Sequence, residues 1–249
     1  MKRGRTAQPS VAPSEARTSY RRGQVEWALW RWFADPQGDV PPPKPFLTRI
    51  KRLLEIDRSD NVPRGAETVP VVRFAFIGQA PANKGSDVDF SAFNAFCLAF
   101  GLDMLDAGFN QSEVVFVLRY IRNDLEREYR RALEQPPSPR TFHLAEDMPD
   151  VPSFWEKGTS YADPRIFMVL QKVELVERFP TWKAKGANQA PLILKPIFKH
   201  GIEMLRNELH ELDYNNRRAL VFEIAHTAVI VTDLLKKAPE IKRGRPPAS

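Results

Sequence analysis

The chain has 249 residues, 43 % of them hydrophobic and 27 % charged, an ordinary composition for a globular protein of one large or two small domains. A single cysteine, Cys97, excludes an internal disulfide, and no apolar run reaches the roughly 18 residues that a membrane helix needs. By formal count the net charge of +6 sits at the two ends, in Lys2, Arg3, Arg5 and Lys242, Arg243, Arg245, which argues for basic arms on a neutral body rather than a uniformly basic surface.

Residues 1–18 are polar, with Pro9 and Pro13, and read as a disordered arm without the apolar stretch of a secretory signal. A first helix is predicted over 21–33, where Val25, Leu29 and Trp32 share one side and Trp27, Trp30 and Phe33 widen it. The prolines of the following loop exclude helix up to about residue 45. A second helix is predicted over 46–58, with Phe46, Ile50, Leu53 and Leu54 on its apolar side. At 100° per residue Lys51, Arg52 and Arg58 fall opposite, with Thr48 and Glu55. Residues 68–78, rich in Val and Phe between Pro and Gly, read as a strand, and 87–90 as its return partner in a hairpin.

A third helix is predicted from Ser91 to Ala107, with Gly108 as its stop and Cys97 as a small core residue. Asn110 and Glu113 have the spacing of a capping box opening a fourth helix, which is apolar nearly all round at 114–118. Residues 136–163, proline-bearing and acidic, read as a linker or lid. Asp163-Pro164 then reads as a helix start, with Ile166, Val169, Leu170, Val173 and Val176 at helical spacing. Two further helices are expected, one carrying Phe198, Ile202, Leu205, Leu209 and Leu212, the other Leu220, Ile224, Ala228, Val231 and Leu235. The expectation is therefore a mainly α protein: a helix–turn–helix-like unit over 19–135 with one small β-hairpin, a linker over 136–163, a helical unit over 164–238, and a basic tail over 239–249.

Catalytic signals are sparse. The four histidines are scattered, none at metal-ligand spacing with a cysteine or carboxylate, and His143 with Glu146 and Asp147 is the most compact polar cluster. There is no phosphate-binding loop, dinucleotide fingerprint or nucleophile elbow, so no catalytic residue, metal or cofactor is assigned.

The tail Lys242-Arg243-Gly244-Arg245-Pro246 resembles an AT-hook, which implies minor-groove contact with A·T-rich DNA. Glycine permits close approach to the groove floor, and arginine suits its narrow negative channel. Lys2-Arg3-Gly4-Arg5 has the same core but Thr6 in place of the proline. The order helix, loop, basic helix, hairpin, long helix resembles a winged helix–turn–helix and, more loosely, the MerR family of transcription regulators, with Ala107-Gly108-Phe109 at that family's glycine-aromatic turn. The loop before the basic helix is longer than the MerR pattern, and no dimerising coiled coil is plain.

That resemblance implies a helix in the major groove, with Arg49, Lys51, Arg52 and Arg58 on phosphates or base edges and Lys84 at the wing tip. Arg21 and Arg22 stand at the first helix start, placed for phosphates. Residues 90–134 offer a second possible helix–turn–helix, and the tryptophans a base-stacking surface, although their shared face with Val25 and Leu29 suits a core. The reading is a cytoplasmic, nucleoid-associated, dimeric regulator of double-stranded DNA. The alternatives are a helical protein–protein adaptor and, third, a nucleic-acid-processing enzyme.

Overall fold

The computed structural model describes residues 19–34, 40–59, 72–78, 89–134, 163–172, 196–213 and 218–240. The protein is mainly helical. Four helices come first: α1 (Arg22–Ala34), α2 (Lys44–Arg58), α3 (Ala92–Asp106) and α4 (Gln111–Glu134). A small mixed segment follows: β1 (Ile166–Lys172), β2 (Ile197–His200), α5 (Ile202–Asp213), β3 (Arg218–Glu223) and α6 (Ala225–Lys237).

The centre is α3, whose residues from Phe93 to Leu102 are all buried. A helix hydrophobic on all sides must be wrapped by others, and α1, α2, α4 and α6 all pack on it or on one another around it. One continuous core runs from Tyr20 to Leu235, so residues 19–134 and the sheet segment divide along the chain but share their interior. Cys97 lies in that core, and burial pushes its thiol up to about 12. Trp27, Trp30 and Trp32 pack against its edge, Trp30 meeting Phe46 edge-on at 5.2 Å between ring centroids.

The sequence places the turn between α3 and α4 well. Gly108 takes φ +89° and donates to the Leu105 carbonyl, while Phe109 donates to Met104, the paired bonds of a Schellman motif. Asn110 and Glu113 then exchange side chain to backbone bonds at 2.8 and 2.9 Å, completing the capping box.

Three expected elements differ. Residues 166–172, 197–200 and 218–223 are strands, not helix, and form an antiparallel sheet in the order β2-β1-β3. Ile166 pairs with His200, and Leu170 with Leu220. The physical reason is that β1 is covered on both faces. Ile166, Met168 and Leu170 face the main core, while Phe167 and Val169 join Leu205 in a second cluster beneath α5. A strand buried on both sides loses its alternation and mimics a buried helix.

Asp163 does cap a helix, but a distant one: it accepts from the Ile202 amide at 2.9 Å at the start of α5. Arg165 holds the same carboxylate at 2.6–3.0 Å, and these bonds keep it ionised, below its ordinary range, despite burial. The described part of the expected strand 68–78 is a series of bends, because its Ala75 and Phe76 amides bond a side chain and not a neighbouring strand. Most of that hairpin, Lys84 included, lies outside the described residues, as do Val173, Val176, the His143 cluster, residues 1–18 and Lys242 to Pro246.

Candidate nucleic-acid interface

Helix α2 has two opposed faces, and what holds one determines what the other can do. Pro43 precedes it with φ −71°, a residue pre-set for a helix start, and Pro45 stands in the first turn where no intrahelical N–H is required. Phe46, Ile50, Leu53 and Leu54 are buried against the neighbouring helices. Asp57 continues that inner face and is 1 % exposed.

Burying a carboxylate is costly unless every lone pair is met. Here the Asp57 carboxylate accepts from the Ala75 amide at 2.8 and 3.0 Å, the Phe76 amide at 2.9 Å and the Arg119 Nε at 3.0 Å. Arg119 also donates to the Asp57 carbonyl. Arg122, one turn along α4, donates to the Ala75 carbonyl and, at 2.6 Å, to Asn94 on α3. The Phe76 ring beds against α3 at Gly101, where an added Cβ would lie 3.2 Å from it, so only glycine fits without displacement. The network ties α2, α3 and α4 to segment 72–78.

The outer face of α2 carries Lys44, Thr48, Lys51, Arg52, Glu55 and Arg58, all exposed. Lys51 pairs loosely with Glu55 at 3.6 Å. Among the described residues no acidic partner meets Lys44, Arg52 or Arg58. From Lys44 to Arg58 this face runs about 21 Å at 1.5 Å per residue, enough to follow a major groove.

Two other expected cations sit differently. Arg49 is half-buried, bonded to Asp106 at the end of α3, with its guanidinium 5.5 Å from the Phe33 ring centre. It fastens α2 to α1 and α3. Arg22 pairs with Glu26 at 2.7 Å within α1, whereas Arg21 beside it is exposed. Sequence reasoning missed Arg73, assigned to the strand; it is exposed on the bend held by Asp57. Its cue was Asp57 itself, a carboxylate on an apolar helix face that demands partners.

The arginines on the outer half of α4 do not form a comparable surface. Arg127 pairs with Asp124 at 3.0 Å and Arg130 with Glu126 at 2.5 Å, so that groove is of mixed sign. Among the described residues no three His, Cys, Asp or Glu side chains are grouped to hold a metal ion, and no helix is long and apolar enough to cross a membrane.

One turn before the end of α3, burial and the neighbouring Asp106 carboxylate push the Asp103 carboxyl up to about 7. A raised carboxyl pKa means that the folded state holds the proton more tightly than the unfolded chain. Its contribution is therefore complete below the ordinary carboxylate range and is lost as pH rises through about 7. Asp103→Asn should remove that loss and raise stability at pH 8 by about 1–2 kcal/mol, a figure reduced for the group's partial exposure. It should leave stability at pH 4 little changed. Urea denaturation at the two pH values checks this; an equal change at both would contradict the assignment.

No family model matches the chain, and neither the curated proteins nor the solved structures contain a match.

Proposed function

We propose that this protein binds double-stranded DNA, without catalysis, by laying the outer face of α2 in the major groove. The observation that carries the reading is the division of α2: an inner face locked by apolar packing and Asp57, and an outer face whose exposed charges are four basic and one acidic. A rigid helix with an exposed cationic stripe meets phosphates with little ordering cost. The backbone bridge between Tyr20 and Phe90, at 2.8 and 2.9 Å, adds support. It joins the chain just before α1 to the chain just before α3, so the span that carries α2 leaves and returns at one place. On this reading the protein is a nucleoid-associated regulator in the cytoplasm and acts as a homodimer. The Lys242–Pro246 tail adds minor-groove affinity for A·T-rich sites.

Fluorescence anisotropy of the full chain with A·T-rich and G·C-rich duplexes across salt tests the reading. Binding whose log affinity falls with log salt at a slope of about −4 or steeper is expected, at about 0.9 per phosphate neutralised. Absence of binding at low salt would overturn it. The adaptor reading draws on Met204 and Leu209, which leave α5 about half exposed at 51 % and 42 %. A stable protein partner together with no DNA affinity would favour it.

A further inference from the structure

A buried ion pair is a poor source of stability, because desolvation offsets most of its attraction. The Asp57–Arg119 pair is better understood by what it positions. Asp57 spends its carboxylate on two successive backbone amides, Ala75 and Phe76, at 2.8–3.0 Å. The Val72 amide bonds to the Arg119 carbonyl at 3.4 Å, so the bend is tied on both sides of Arg73. Between these ties Arg73 stands exposed, its guanidinium 5.0 Å from the Phe74 ring centre. Among the described residues it meets no carboxylate. The ties at Ala75 and Phe76 run to Asp57, the neighbour in sequence of Arg58, which is also exposed and without an acidic partner among those residues.

We propose that Arg58 and Arg73 form a phosphate-binding pair at the C-terminal end of α2, where the DNA backbone crosses the protein, while Thr48, Lys51 and Arg52 face the base edges. The proposal rests on the reading of α2 as the DNA-binding helix and divides its work. Two cations, one on the helix end and one on the bend tied to it, supply sequence-independent affinity and register. The middle of the helix supplies discrimination. Asp57 acts as a positioning residue that holds the bend carrying Arg73 at the C-terminal end of α2.

Arg73→Ala tests this in the full-length protein. Its side chain is exposed, so folding should be unaffected, and circular dichroism with thermal melting confirms that first. Affinity should fall about threefold to tenfold equally on A·T-rich and G·C-rich duplexes, with the salt slope shallower by about one phosphate. Arg206→Ala, an equal loss of charge on α5, should change neither quantity. Arg52→Ala should instead alter the ratio of the two affinities. If Arg73→Ala keeps wild-type affinity and slope while Arg52→Ala weakens binding, the pair is refuted and the α2 reading survives. If the wild type binds neither duplex, both fall together.

Discussion

Asp57→Ala should destabilise the protein by about 3–5 kcal/mol, the range for removing one partner from a buried charge pair. The loss is large because three donors lose their acceptor at once: the Ala75 and Phe76 amides and the Arg119 Nε. Domains of this size are stable by only about 5–15 kcal/mol, so the variant will sit near its unfolding threshold. Arg119→Met should cost less, since Asp57 would keep both amide bonds, and the double variant should not recover stability, since those amides would still lack an acceptor. A simple ion pair would behave oppositely, with an apolar replacement of both partners near neutral. Urea denaturation of the three variants decides between them, and a loss below about 1 kcal/mol for Asp57→Ala would contradict the network described here.

Replacing Lys51, Arg52 and Arg58 together with alanine should lower duplex affinity about a hundredfold at moderate salt and flatten the salt slope by about one phosphate, that of Arg58. None of the three side chains lies in the core, and alanine favours helix, so stability should be close to wild type. The combination of intact folding and lost binding distinguishes a binding surface from a solvated face. Unchanged affinity in a folded triple variant would mean that α2 does not touch DNA and that any binding comes from elsewhere in the chain.

How far the sequence revealed this protein depended on the kind of signal. The first four helices were legible because their apolar residues recur with the helical period and two of their ends carry punctuation: Gly108 after α3, Asn110 with Glu113 opening α4. Helix α2 starts at Lys44, two residues before its predicted start, because Pro45 is tolerated in a first turn that needs no intrahelical N–H. The strands were hidden because β1 is buried on both faces, and its Ile166, Val169 and Leu170 coincide with helical spacing. Both β2 and β3 abut helices with barely a residue between, so each pair read as one longer helix.

Within the site, the basic outer face of α2 followed from 100° geometry alone. The use of Arg49 did not, since its partner Asp106 is 57 residues away and nothing local announces it. Arg73 was hidden for the same reason: its position depends on a carboxylate across a loop. Long-range polar contacts of this kind are chosen by the fold as a whole, and a buried aspartate shows only that some partner must exist.

The central claim, that DNA lies along α2 and the bend beside it, is tested most directly by amide hydrogen exchange of the full chain with and without saturating duplex. Slower exchange in peptides covering 44–58 and 72–78, with 202–213 on α5 unchanged, is the result expected. Protection confined to peptides outside the first two spans, or none at all with duplex bound, would contradict it.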